Sequence, residues 1–195
     1  MSKSDSGSSK KERNKTIRWV VTIFFTTILV SGCISFVSDE IMAASSMAIA
    51  FLILLAIVFV GIIFDIIGVA VTSAEEKPFH SMAARKVPGA QEAIKLIRNA
   101  ERVGSICNDV VGDICGVVSG SASATIASQV LQNFDSSIPQ VISLVMSALV
   151  AGLTVGGKAI GKTFAIGSCT KITHGTGKII WLMRHFPDHF KRNKK

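Results

Sequence analysis

From Ile41 to Ser73 the chain carries a single charge, Asp65, in an otherwise apolar or neutral run. Roughly 33 residues of helix would be about 50 Å long, against a hydrocarbon core of about 30 Å. Such a segment must tilt, protrude or break, and Gly61 and Gly68 are the candidate weak points. A second run, WVVTIFFTTILVSGCISFV at residues 19–37, has no charge at all and is long enough to span a bilayer as a helix. These runs exclude an ordinary soluble domain. The chain as a whole agrees: 49% of residues are hydrophobic, only 17% are charged, and mean hydropathy is +0.49. At 195 residues there is room for one domain, not for four spans plus a second sizeable globular unit.

The net charge of +8 would suggest nucleic acid in a soluble protein. Here the cations flank apolar segments, so they read as topology signals and as contacts to anionic headgroups. No nucleic-acid reading motif accompanies them. Cys33, Cys107, Cys115 and Cys169 lack CxxC spacing, which argues against zinc or iron–sulfur ligation. Cys107 and Cys115 lie in an apolar run and read as small packing residues. Trp19 and Trp181 sit at ends of apolar segments, where an interfacial belt places them.

Along the chain, residues 1–15 read as a disordered basic cytoplasmic tail. Residues 16–38 read as a transmembrane helix with its N-terminus inside, because basic residues precede it and Asp39 and Glu40 follow. A rival reading stands beside this one. The sequence VSGC resembles the end of a bacterial lipoprotein signal, cleaved before an acylated Cys33. The span-like length favours the retained helix. The second span runs outside to inside, and residues 75–102 form a charged cytoplasmic excursion divided at Pro88. After Pro88, Ala90, Ala93, Ile94, Ile97, Ala100 and Val103 recur at helical spacing, an amphipathic helix lying on the membrane or on another helix. Val103–Leu131 returns outward, QNFDSSIPQ is an external loop, and residues 138–157 return inward, with Lys158, Lys162 and Lys171 on the cytoplasmic side. Residues 172–195 read as a juxtamembrane helix, anchored by Ile179 and Trp181, and a basic tail. The expected fold is all-α and polytopic, with about four transmembrane helices and both termini cytoplasmic.

Carboxylates near the inner end of the spans carry the chemical interest. Asp109 and Asp113 are four apart and share a helix face with Ser105, while Asn108 lies beside them. Asp65 lies in the inner part of the antiparallel second span, so three carboxylates are expected at one depth. Each costs about 3 kcal/mol to insert and needs a partner, water or a metal ion. Hard oxygen donors suit magnesium or calcium. The plainer reading is that Asp109 and Asp113 cap and solvate a helix entrance near the headgroups. Gly112, Gly116, Gly120, Ala124 and Ser128 recur every fourth residue in the third span, as do Ala148, Gly152 and Gly156 in the fourth. Such faces let helices approach closely in lipid, within a bundle or a dimer. His185 and His189 have i, i+4 spacing, but Pro187 is expected to interrupt the helix between them. No catalytic triad, Walker loop or dinucleotide fingerprint is visible, and no enzyme is expected.

Three stretches, FDIIGVAVTSA, RNAERVGSICNDVVGDI and GGKAIGKTFA, together resemble the transmembrane domain of the CorB/CorC/cyclin-M (CNNM) magnesium transport family. The resemblance covers roughly residues 45–185, with spans two to four matching the family's three helices and 41–171 as the corresponding domain. It implies a homodimer in the plasma membrane that binds dehydrated Mg2+ between its helices. By position it assigns metal contacts to Asn108, Asp109 and Ser73, with Asp65 standing in for the family's first-helix Glu; Asp113 joins them from the residue spacing alone. Lys162 matches the family's Pro-Lys lysine, and Lys158 and Lys162 are candidate counter-charges to the carboxylates. Two departures stand out. The family's first-helix Glu falls on Gly68, and the Glu of its Gly-Glu motif falls on Lys158. The nucleotide-sensing CBS module and the C-terminal domain are not expected. Two functions follow: Mg2+ binding or transport, or a degenerate scaffold or regulatory homologue in which Lys158 neutralises the acidic site.

Overall fold

The computed structural model of the chain describes residues 5–133 and 139–192. Every regular element among them is helical and no strand occurs. The order is α1 (Asp5–Ala43), α2 (Met47–Ser73), α3 (Lys77–Ala84), α4 (Ala90–Arg98), α5 (Ala100–Gly104), a π-helical segment (Ser105–Gly112), α6 (Asp113–Asn133), α7 (Pro139–Gly167) and α8 (Cys169–Arg192). Four stretches are long and apolar enough to cross a membrane: Thr16–Met42, Met47–Ser73, Ala100–Leu131 and Val141–Gly167. The protein is therefore an all-α polytopic membrane protein.

The first long apolar run does break, but not at its glycines. α1 ends at Ala43 and α2 starts at Met47. Ser45 Oγ donates to the Ile41 carbonyl at 2.6 Å, and Ser46 is extended (φ −66°, ψ 153°). Serine side chains compete for backbone bonds and so end helices. Gly61 and Gly68 instead lie inside an unbroken α2. At the other end α1 reaches back to Asp5, through residues expected to be a disordered tail. Lys and Glu are good helix formers, and the apolar span supplies the nucleus from which the helix extends. α8 likewise continues through Pro187, where an interruption was expected. The expected external loop lies mostly outside the described residues.

α2 is the central helix, packed on α7, α6, the π segment, α5 and α8. Ala50, Leu54, Val58, Gly61, Asp65 and Gly68 form its buried face at helical spacing. Leu54 and Val58 pack in one cluster with Met42, Ala122, Ile126 and Val150. Lipid tails are as apolar as leucine, so close packing rather than burial from water must hold these helices. The tight points are glycines. A Cβ at Gly61 would lie 2.8 Å from Cys115 Cβ, and one at Gly161 would lie 2.8 Å from Ile66 Cγ1. Gly157 meets Ile62 in the same way. Of the glycines in the expected stripes, Gly112 alone is such a point. Gly116, Gly120, Gly152 and Gly156 have nothing within 4 Å of a Cβ position. The buried row of α6 has the same four-residue spacing but a different phase: Ile114, Val118, Ala122 and Ile126 face the bundle, and the expected row lies to one side of them.

The outer surface is apolar. Phe25, Leu29 and Phe36 of α1, Leu52 and Phe59 of α2, and Leu144, Leu149 and Ile160 of α7 are all exposed. Such a continuous belt on a soluble protein would be an aggregation surface; around a bundle it faces acyl chains. At one end of the bundle α3, α4 and α5 form the excursion. Arg98 Nε donates to Glu76 Oε1 at 2.7 Å, tying the end of α4 to the start of α3. Pro88 and Gly89 make the turn between them, Gly89 at φ 84°. Ala90 and Ala93 are buried as expected, and so is Glu92, which was not.

Candidate polar site within the helix bundle

The decisive element is α7. Lys158 was expected just past the end of a span on the cytoplasmic side, and also as a counter-ion to the acidic site. α7 runs unbroken to Gly167, and the half-buried Lys158 reaches into the bundle. Its Nζ lies 3.7 Å from Asp65 Oδ1 and donates to the Gly112 carbonyl at 3.3 Å. Asp65 is 3% exposed. Asp65 and Lys158 each sit about two turns before the end of their parent helices, so the packing of α2 on α7 brings them level.

Gly112 makes the site possible. A Cβ there would lie 3.0 Å from Asp65 Oδ1, 3.2 Å from Lys158 Nζ and 3.4 Å from the Cys107 carbonyl. Any side chain would press on both partners of the ion pair. One turn away Asn108 packs its carboxamide on Gly68, where a Cβ would collide with the Asn108 oxygen. Gly68 thus makes room for this amide. Asn108 Oδ1 is buried and has no hydrogen-bond partner.

The remaining expected ligands do not join. Asp109 and Asp113 are exposed. Each is one residue from a contact position, Asn108 or Gly112, and one residue is about 100° of rotation. The expected convergence of three carboxylates is therefore not made: one of the three is inside. Ser73 is exposed at the end of α2, and Lys162 is exposed one turn beyond Lys158. Among the described residues no three His, Cys, Asp or Glu side chains gather. The wider turns of Ser105–Gly112 also depart from the α-helical wheel used to put Asp109 and Asp113 on a shared inner face.

What the site does chemically is neutralise a buried carboxylate with a tethered ammonium. A lone charge at this depth costs about 3 kcal/mol, which the pair reduces. The row Gly157, Gly161 and Ala165 carries Lys158 to Asp65 and lies one residue from the row Ala148, Gly152 and Gly156. Compared with protein-family models, characterised proteins and solved structures, the chain matches none.

Proposed function

We propose that this membrane protein is a non-transporting relative of the magnesium transporter membrane domain, acting as a scaffold or regulatory subunit. The observation that carries this reading is the Lys158 ammonium, held between Asp65 Oδ1 and the Gly112 carbonyl where a cation would draw on the same oxygens. A covalently attached cation cannot be transported. The reading includes a multi-pass protein of the plasma membrane with both termini cytoplasmic, for which the cations preceding Thr16 speak. It also includes a homodimer. A groove of about 300 Å3 between α6 and α7, lined by Gly116, Gly120, Ser123, Ala151 and Thr154, is a surface of the small-residue kind that a second copy would need.

One observation favours the other reading, Mg2+ transport or binding. The unpartnered Asn108 oxygen is a hard donor one helical turn from the Asp65 pair. The experiment is Mg2+ flux into proteoliposomes holding the purified chain, with Asp65→Asn alongside. The expected result is flux no greater than in empty vesicles for both proteins. Flux in the unaltered protein that Asp65→Asn removes would overturn the scaffold reading in favour of transport.

A further inference from the structure

A cleft of about 260 Å3 lies between the α3–α4 turn and α8, away from the Asp65 site. Its lining carries both signs of charge: Lys86 on the turn and Glu92 in the first turn of α4. Glu92 is 8% exposed, yet its ion pair is a loose 3.9 Å contact to Lys95, a side chain 62% exposed. Surface contacts of that length contribute little, so Lys95 does not tie this carboxylate up and its oxygens can take a second cation from the cleft. Trp181 and His185 line the cleft from α8, their rings stacked 4.5 Å apart. His185 Nδ1 lies 2.9 Å from the Trp181 carbonyl, which calls for the proton on that nitrogen and fixes the ring pair.

The cleft is preformed by backbone contact. A Cβ at Gly177 would lie 2.5 Å from the Gly89 carbonyl oxygen, and one at Gly89 would lie 2.5 Å from the Lys178 backbone. No side chain separates the two helices there, so the lining residues cannot close together. The cleft also borders the bilayer surface. α8 follows the last span after a single residue, Ser168, and exposes Ile179, Leu182 and Met183 on a face flanked by Lys178 and Arg184. That is the pattern of a helix lying in a headgroup layer.

We infer that this cleft binds a phosphoethanolamine group. The primary ammonium meets the Glu92 carboxylate and the Trp181 ring, and the phosphodiester meets Lys86. A headgroup with phosphate alone leaves Glu92 unused, and a cation alone leaves Lys86 unused. Two sources supply this chemistry: a phosphatidylethanolamine headgroup or a soluble glycerophosphoethanolamine.

The test uses the full chain in detergent with Trp19→Phe, which makes Trp181 the only indole. Its fluorescence is titrated with phosphatidylethanolamine or phosphatidylglycerol of matched acyl chains, and with glycerophosphoethanolamine. The expected result is a saturable response to phosphatidylethanolamine and none to phosphatidylglycerol, weakened roughly tenfold by Glu92→Gln and by Lys86→Asn. Asparagine tolerates the φ of 55° at position 86, and that side chain is exposed, so this variant reports even if the buried Glu92 change perturbs folding. Saturation by glycerophosphoethanolamine at equal affinity supports the site and assigns its source to a soluble phosphodiester. Equal responses to both lipids, or affinity that neither substitution changes, would overturn the inference.

Discussion

Asp65 and Lys158 test each other. Removing one partner of a buried pair leaves an uncompensated charge, which costs about 3 kcal/mol or more. Lys158→Met is therefore expected to lower the unfolding midpoint in detergent clearly. Adding Asp65→Asn to it should recover most of the loss, because a neutral amide in place of the carboxylate no longer needs a cation. A double-mutant cycle measures the coupling; strictly additive losses would mean that the 3.7 Å contact contributes nothing. The glycines divide just as sharply. Gly68→Ala drives a methyl group into the Asn108 amide and should cost about 1–3 kcal/mol. Gly152→Ala and Gly175→Ala meet no atom, and should be neutral or stabilising by up to about 1 kcal/mol. Thermal unfolding of the three variants checks the ranking. At this scale Asp65 was legible as a residue needing a polar partner, and Lys158 was already one of two candidates. Asp109 and Asp113 are exposed, in keeping with the plainer reading of a solvated helix entrance, because an i, i+4 pair shows that two residues share a face without showing which face is inside.

At the scale of elements, the long runs of missing charge gave the helices plainly, and Pro88 gave the division of the excursion. What stayed hidden was register. The π segment Ser105–Gly112 has no composition that announces it, yet its wider turns govern which residues downstream meet α2. The end of the last span was hidden for a related reason. Lysine is read as a membrane boundary, but a lysine with a carboxylate opposite it can remain inside a continuing helix. The contact between α4 and α8 is another element-scale feature that leaves a clear expectation. Gly177→Leu cannot keep the approach to Gly89 and should release α8, raising amide hydrogen exchange in Cys169–His185 while leaving α2 protected. Unchanged exchange in α8 would mean that Gly177 does not hold the contact.

For the molecule as a whole, four candidate spans make an even number of crossings. Reporters fused at the two ends should therefore answer alike, both accessible from one face of the membrane or both from the other. Opposite answers would show that one of the four helices does not cross. Chain order also has a consequence for synthesis. Asp65 enters the bilayer with α2, the most apolar of the four spans, whereas its counter-ion is encoded 158 − 65 = 93 residues later. At about 5–20 residues per second a ribosome takes on the order of ten seconds to supply it. During that interval the nascent hairpin of α1 and α2 holds a carboxylate with no cation, and only the arrival of α7 ends the wait. An intermediate stalled before Lys158 therefore holds Asp65 without its counter-ion, so the order of synthesis makes the ion pair a late event in assembly.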